Sequence, residues 1–279
     1  MERNIIEMKL YHYCSIETFK KIMQSKTLRF SDIMKSNDSE EIISLWNKYC
    51  DYIYRTSSNS YASTSVKYFK DSQLKENIYL ALCFSEKYDD LYMWKSYADG
   101  GIAIGFDLES IENWIKNIHY FNDLKQYPNK VVCAKFKNIE YYDVNKIDEY
   151  IAKKCKNIEL VTDKLNDVFF EAPFTKNSFF EMEEEVRILI TIFKSNENSN
   201  KLEYIPEEEN PPVTIKLESN CNRNFDNVIT ATIPFPSKMI KSITLAPNCK
   251  LNLEDIQQIL YVNDFNNNIE IKKSKVSYR

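Results

Sequence analysis

The chain has 279 residues, of which 43% are hydrophobic and 14% aromatic, and it carries a net charge of −4. This length can bury one substantial core or two smaller ones, and the aromatic content argues against disorder. The acidic balance and the lack of a basic stripe disfavour nonspecific nucleic-acid binding. No apolar leader or long uncharged run is present, so we expect a cytoplasmic protein with no membrane partner.

All three glycines, Gly100, Gly101 and Gly105, fall in one short stretch. Left-handed turns and close approach of a ligand to the backbone favour Gly, so such geometry is predicted to be confined to this stretch. Three clustered glycines exclude a P-loop and a Gly-rich dinucleotide-binding motif. Any bound nucleotide is therefore held in another way.

The seven cysteines are scattered without a Cys-x-x-Cys pair, and the two histidines are His12 and His119. A zinc site needs clustered ligands, so no metal is expected. Free thiols in a reducing compartment are the simplest interpretation.

Strands and helices are predicted to alternate irregularly along the chain. The first half is predicted to contain a strand at 8–14, a helix capped by Ser15, a strand at 28–31, a helix from Ser39, a strand at 78–85, a helix capped by Asp90, a strand at 101–106 and a helix from Leu108. The second half is predicted to contain a strand at 131–136, a long helix at 145–170, strands at 182–193, 213–217, 228–234 and 242–245, and a helix opened by Asn252 and Asp255. We therefore predict one α+β domain spanning 1–279, with a central mixed or antiparallel sheet and helical insertions at about 38–76 and 143–175.

The segment Phe179–Ile190, which reads FFEMEEEVRILI, is the best candidate for chemistry. On a continuous strand, Glu183, Glu185 and Arg187 share one face, while Met182 points into the core. Two carboxylates and a guanidinium in a row can stabilise a developing cation and orient a hydroxyl group. A solvated strand face whose alternating charges pair with neighbouring strands gives the same pattern, so both interpretations stay open.

Three further positions carry weaker signals. His12 and Cys14 lie on one face of the first predicted strand, with Tyr13 on the other face. A Cys–His pair is the composition of a nucleophile and its base, but no third group orients this imidazole, and a half-buried structural His fits equally. Ser85 ends a strand before a turn, where its hydroxyl can contact a ligand or cap the next helix. Tyr97 fits a core position as well as a stacking platform.

Four sequence blocks resemble the bacterial DUF2971 family, which is named for a domain of unknown function. They are LYHYCS at 10–15 running to LRFS at 28–31, CFSE at 83–86 with MW and YAD at 93–99, GIAIGFD at 101–107, and FxxExExR at 180–187. The segment IKSITL at 240–245 fits the family's closing strand, so the resemblance spans nearly the whole chain. Phe180 stands where the family usually has Trp, and the turn between Asp99 and Gly101 is shortened.

The order of these blocks resembles that of ADP-ribosyltransferase-like domains, which present His or Arg on the first strand, Ser or Tyr on a middle strand, and Glu or Glu-x-Glu on a late strand. The resemblance implies a split central sheet and an enzyme that consumes NAD without a metal, as a transferase or an NAD glycohydrolase. Its role would be that of a bacterial toxin or a phage-defence effector, and the acceptor a protein, a nucleic acid or water. A fold does not fix a function, so the alternatives are a non-catalytic binding or regulatory module and a hydrolase that uses Cys14.

The same resemblance implies roles for particular residues. Glu185 would hydrogen-bond a ribose hydroxyl and stabilise the positive charge that builds on the sugar as nicotinamide leaves. Glu183 would orient or deprotonate the acceptor. His12 would contact the adenosine-side ribose or phosphate, and Ser85 the nicotinamide ribose. The residues implied to bind NAD are His12, Tyr13, Ser85, Tyr92, Tyr97 and Arg187, with Tyr92 or Tyr97 stacking on a ring.

Overall fold

A computed structural model describes most of the chain. The described residues are 8–35, 39–56, 77–120, 133–155, 170–193, 201–204, 213–221, 227–265 and 268–277, together with the single positions 66, 68, 71 and 75.

The elements follow one another in a mixed order. The first half of the chain contains β1 (Lys9–Cys14), α1 (Ile16–Ser25), β2 (Thr27–Asp32), α2 (Ser39–Thr56), β3 (Asn77–Ser85), α3 (Leu91–Tyr97), β4 (Ile102–Asp107), α4 (Leu108–Lys116) and β5 (Ile118–Tyr120). The second half contains β6 (Cys133–Asn138), β7 (Glu140–Tyr142), α5 (Ile147–Cys155), β8 (Thr175–Asn177), β9 (Glu185–Phe193), β10 (Lys201–Tyr204), β11 (Val213–Cys221), β12 (Asn227–Pro234), β13 (Ile240–Leu245), α6 (Leu253–Val262) and β14 (Glu270–Lys273). Short 3₁₀ turns occur at Ile33–Lys35, Val144–Lys146, Ala172–Phe174, Ser178–Glu183 and Ser237–Met239.

Helix starts coincide with the predicted capping residues. The Ser15 hydroxyl accepts a hydrogen bond from the Thr18 backbone N–H at 3.1 Å, which satisfies one of the free donors of the first turn of α1. Asn252 and Asp255 form a capping box that opens α6, in which each side chain accepts from the other residue's backbone N–H. These boundaries were readable because capping depends on local residue types alone.

A twelve-stranded sheet forms the centre of the fold. Its main path runs β14-β13-β4-β1-β3-β2-β12-β11-β10-β5, while β9 pairs with β3 and β6 pairs with β9. The pairs are antiparallel except for the parallel pair β13–β14, and β7 and β8 form a separate parallel pair. This architecture confirms the predicted α+β class with a mixed, mostly antiparallel sheet.

Both faces of β3 and β9 are covered, so alternate residues enter two different cores. Leu80 and Ile188 face the larger core, whereas Tyr79 and Leu189 face a second core. The helix α2 buries its apolar stripe against this second core, with Trp46 at its centre and fully buried. Burial on both faces explains why β3 reads as a nearly continuous apolar run.

Three sequence predictions about elements differ from the structure. The strand predicted from residue 182 begins only at Glu185, because a 3₁₀ turn occupies Ser178–Glu183. The helix predicted at 145–170 begins with a 3₁₀ turn at Val144–Lys146 that continues into α5, and residues 156–169 of this prediction lie outside the described residues. The strands β5, β7, β8, β10 and β14, each of three or four residues, were not predicted because so few residues show no periodicity.

The glycines serve contacts between strands. Gly100 has a positive φ of 66° in the turn before β4. A Cβ on Gly101 would lie 2.1 Å from the Cys14 carbonyl oxygen, so the backbone after β1 needs a residue without a side chain there. The expectation that left-handed geometry is confined to the glycine stretch is wrong, since positive φ also occurs, within the described part of the chain, at four residues with side chains: Lys26, Asp89, Glu184 and Asp264.

Two alanine substitutions test this close packing. Gly101→Ala places its Cβ against backbone, which cannot rotate away, so we expect it to cost about 3 kcal/mol or more of unfolding free energy. Gly105→Ala meets the Ser242 hydroxyl at 2.2 Å, and this side chain can change rotamer, so we expect a smaller cost of about 1–3 kcal/mol. Urea denaturation of both variants measures the order, and equal stability of Gly101→Ala and the unmodified protein would contradict the packing.

Candidate functional site

The sheet forks at one edge of β3. β9 pairs with one edge along the whole strand, so β1 and β2 must share the other edge. β2 meets it at Ala81, opposite Ser31, and β1 meets it at Ser85, opposite Tyr11. At residues 82–84, between these two points, neither β1 nor β2 is in register with β3, although all three strands are described. Two wings therefore diverge from β3 and leave a slot between them.

A cavity of about 980 Å³ occupies this fork. Its volume lies at the upper end of the range of small-molecule and cofactor pockets, about 300–1,000 Å³. Six of the eight residues predicted for the site line it: His12, Tyr13, Ser85, Tyr97, Glu183 and Glu185. Segments far apart in sequence therefore converge on one concavity.

Glu183 and Glu185 lie in the wall of the cavity, joined by one ammonium group. The Nζ atom of Lys176 is 2.8 Å from Oε2 of Glu183 and 2.9 Å from Oε2 of Glu185. Arg187 donates from Nε to Oε1 of Glu185 at 2.7 Å, and its Nη1 donates to the Pro173 carbonyl. The exposed fractions are 3% for Glu183, 5% for Glu185 and 0% for Arg187, so a solvated strand face is excluded.

Glu183 reaches this cluster by a route that the alternation pattern did not predict. It ends the 3₁₀ turn Ser178–Glu183, and Glu184 then takes a left-handed conformation with φ of 40° before β9 begins. Met182, predicted to point into the core, is therefore 52% exposed. The shared location of the two carboxylates comes from this turn rather than from alternation along one strand.

Glu185 is ionised across the physiological pH range. Burial would raise the pKa of its carboxyl group, but the adjacent charges of Arg187 and Lys176, with hydrogen bonds from Arg187 and Cys83, lower it to about 2. Glu185 can therefore act as a fixed negative charge or a hydrogen-bond acceptor, but not as a proton donor.

Hydroxyl groups hold Glu183 in place. Tyr97 donates its hydroxyl to Oε1 of Glu183, and burial followed by this hydrogen bond raises the pKa of the phenol. Ser85 donates to the Glu183 backbone carbonyl at 2.5 Å and accepts from the Lys87 N–H at 3.1 Å. Ser85 lines the cavity but is only 1% exposed, and its hydroxyl fixes the segment that carries the acid.

His12 faces the cavity from β1 in a defined tautomer. Its Nδ1 donates to the Cys83 carbonyl at 3.1 Å, within the stretch of β3 that neither wing pairs with. Burial lowers the pKa of the imidazole, and the nearby positive charge of Arg29 lowers it further. The neutral ring with a proton on Nδ1 leaves Nε2 as a hydrogen-bond acceptor.

Two predicted site residues do not line the cavity. Arg187 is completely buried behind Glu185, so it positions the carboxylate and cannot contact a ligand. Tyr92 packs against the small core formed around Trp94 and Tyr13, so it is not placed to stack on a bound ring. Tyr13 lines the cavity, but its hydroxyl donates to the Lys87 carbonyl at 2.9 Å.

The Cys14 hydrolase hypothesis finds no support in the geometry. Cys14 lies in the larger core, where burial raises the pKa of its thiol to about 12. The hydrogen bond of His12 at Nδ1 is to Cys83 and not to Cys14. A nucleophilic thiol needs a lowered pKa or an adjacent base, and neither is present at Cys14.

Lys176 and Arg29 line the cavity and were missed by sequence reasoning. Lys176 lies in the short strand β8, where three residues show no periodicity. Arg29 is the one charged residue of the LRFS block, and its alternation with Leu28 and Phe30 in β2 was a signal for a side chain opposite the core. Across the residues that the structure describes, no group of three His, Cys, Asp or Glu side chains could hold a metal ion.

Comparison with known proteins gives one match. Residues 93–188 match the model of a family described as "Protein of unknown function (DUF2971)". The match covers about a third of the chain and includes both carboxylates, whereas His12 and Ser85 precede it. It supports the resemblance to the DUF2971 family, while the resemblance to ADP-ribosyltransferase-like domains stays a prediction. No curated protein and no solved structure matches the chain. Of the helices described, none is long and apolar enough to cross a membrane.

Removing the central ammonium tests the cluster. Lys176→Met leaves two buried carboxylates with one fewer cation, so we expect a loss of about 3–5 kcal/mol of unfolding free energy. The control is Lys154→Met, which breaks an exposed pair with Glu140 and should cost at most about 1 kcal/mol. Equal costs of the two substitutions in urea denaturation would contradict the cluster.

The low pKa of Glu185 predicts a pH dependence of stability. A carboxyl group whose pKa is depressed in the folded state stabilises the fold above its unfolded pKa and loses this effect as the pH falls through the folded value. The stability advantage of the unmodified protein over Glu185→Gln should therefore be constant above about pH 4.5 and shrink toward pH 2. Chemical denaturation at several pH values measures this difference, and an advantage that does not change with pH would show that Glu185 is not held ionised by its neighbours.

Proposed function

We propose that the protein consumes NAD, breaking the bond between nicotinamide and ribose and passing the ADP-ribosyl group to a protein, a nucleic acid or water. The observation that carries this proposal is the convergence of His12, Ser85, Glu183 and Glu185 on the cavity of the forked sheet. The match to a family of unknown function is compatible with this activity and gives no independent support for it.

The chemistry of the bond suits the acid cluster. When the bond breaks, its electron pair leaves with nicotinamide, and positive charge develops on the ribose as in glycoside hydrolysis. A carboxylate fixed beside the sugar stabilises that charge, most strongly where water is excluded. Glu185 is ionised and 5% exposed, which meets both conditions.

The position of Lys176 indicates what the two carboxylates can hold. Its ammonium lies within 2.9 Å of an oxygen of each acid, so a positive charge between them is favourable. Glu183 also accepts a hydrogen bond from the Tyr97 hydroxyl, which fixes the orientation of its carboxylate. We assign to Glu183 the orientation or deprotonation of the acceptor hydroxyl or water.

His12 is suited to a sugar hydroxyl. With its proton on Nδ1 and bound to Cys83, the imidazole presents an acceptor at Nε2. A ribose hydroxyl can donate to this atom, whereas a phosphate offers no proton to it at neutral pH. Of the two roles that the resemblance implies for His12, contact with the adenosine-side ribose is therefore the one that its protonation supports.

One observation favours a second candidate, a binding or regulatory module. The cluster contains two carboxylates and two cations, so the charge of Glu185 is already balanced by Lys176 and Arg187. Such a module would show Glu185 locked to Arg187 away from any cleft. The pairing is present, but Glu185 also lines the cavity.

The test is nicotinamide release from NAD by the unmodified protein and by Glu185→Gln. We expect release by the unmodified protein and a loss of about 10²–10³-fold in kcat for the variant, because a fixed charge near the sugar is removed. Glu184→Gln is the matched control, since Glu184 is adjacent in sequence, half-exposed and paired with Lys87. It should keep activity within about twofold, since surface changes act weakly.

The outcomes separate the candidates. Binding of NAD without release under any acceptor condition supports the binding module. If Glu185→Gln releases nicotinamide as fast as the unmodified protein, the role assigned to Glu185 is wrong, whereas the proposed reaction stands. If Glu185→Gln does not fold, Glu185→Asp replaces it, because this variant keeps the charge and moves the carboxylate back by one methylene group. A loss of kcat at an unchanged melting temperature would then support the assignment of Glu185.

A further inference from the structure

Arg29 presents a charge to the cavity without a described partner. It lies on β2, is exposed, and forms no ion pair with any residue that the structure describes. Other cations of the cavity are paired: Lys21 is 2.7 Å from Glu17, and Lys176 bridges the two acids. An unpaired guanidinium in a concave site is suited to a ligand that carries negative charge.

The neighbours of Arg29 supply hydroxyl groups on the same face. Thr232 of β12 is in direct register with Arg29, so the two side chains point to the same side of the sheet, and both line the cavity. Ser31 lies two residues further along β2 and lines the cavity as well. The opposite face of these strands, with Leu28 and Phe30, belongs to the larger core.

The acidic side chain that β11 presents to the cavity is displaced along the strands. Glu218 of β11 lines the cavity, but its register partner is Thr230, which is opposite Ser31 and not opposite Arg29. Arg29 and its register partner Thr232 therefore place a cation beside a hydroxyl group, and Glu218 is not in register with either of them.

His12 does not compete for an anion. Its Nδ1 proton is committed to the Cys83 carbonyl, and Nε2 accepts hydrogen bonds. The acids Glu183 and Glu185, on the wall formed by β9 and the turn before it, repel a phosphate group. Arg29, on the wall formed by β2, is therefore the group in the cavity suited to phosphate oxygens.

We propose that Arg29, with the hydroxyl of Thr232, binds the diphosphate of a dinucleotide in the fork. This site orients the ligand, with its diphosphate at the β2 wall and its nicotinamide ribose at the acid cluster. The choice of a dinucleotide rests on the proposed function, whereas the anion site itself rests on Arg29 and its neighbours.

Calorimetric titration of ADP-ribose, NAD, inorganic pyrophosphate and nicotinamide riboside into the protein tests the site. Arg29→Gln should weaken binding of ADP-ribose and NAD about 10- to 100-fold, because charge-assisted hydrogen bonds are lost. The affinities of Arg29→Lys for ADP-ribose and NAD should lie between those of the unmodified protein and Arg29→Gln, since an ammonium keeps the charge without the bidentate geometry. Nicotinamide riboside has no phosphate, so its affinity should not change.

The control is Arg55→Gln, which removes an exposed arginine of α2 that does not line the cavity. It should leave all four affinities unchanged. If NAD binds or is consumed and Arg29→Gln has no effect on its affinity, the anion site is overturned while the proposed function stands. If pyrophosphate or ADP-ribose binds in an Arg29-dependent manner and NAD is neither bound nor consumed, the anion site stands without that function. Absence of binding by all four compounds overturns both.

Discussion

A single ammonium group, that of Lys176, makes the acid cluster possible. Burying two carboxylates side by side is costly unless a cation offsets their repulsion and the cost of removing them from water. Lys176 contacts both, and Arg187 braces Glu185 from behind. The low pKa of Glu185 and the polarity of this wall of the cavity both depend on this arrangement.

The fork of the sheet gives that cluster a place to act. Because β9 takes one edge of β3 completely, β1 and β2 must divide the other edge, and neither can follow it far before the two diverge. The β2 side of the space carries a charge, since alternation turns Phe30 to the core and Arg29 to the cavity. Strand pairing therefore creates the slot, alternation in β2 places Arg29 on one wall, and the turn before β9 brings the two acids together on another.

The sequence predicted those features that depend on local residue types or on long apolar runs. Capping residues fixed the helix starts, and the strand β3 was evident from its length and apolar character. The convergence of His12 with the two acids was a hypothesis based on motif order, and the structure does place these residues around one cavity. Their roles in binding and catalysis stay predictions.

Other parts of the site depend on tertiary contacts that no local pattern encodes. The alternation of residues 183–187 fits a continuous strand, yet the backbone of Glu184 takes a left-handed conformation that interrupts it. Its carbonyl accepts from the Glu86 N–H at 3.0 Å, and the preceding carbonyl accepts from Ser85, so the end of β3 fixes this turn. Lys176 lies in a three-residue strand and could not be linked to acids seven and nine positions later by any periodicity.

The two candidate functions differ in the position of one ammonium group. A sugar cation that forms beside Glu185 competes with Lys176 for Oε2 of that carboxylate, and the two positive charges repel each other. Under the proposed cleavage of NAD, Lys176 would have to shift its hydrogen bonds toward Glu183, whose Oε2 already accepts from it at 2.8 Å. A site in which Lys176 keeps both acids has no uncompensated negative charge to offer a cation, and it would instead hold a neutral or anionic ligand. Catalysis and simple binding thus separate at the contact between Lys176 and Glu185.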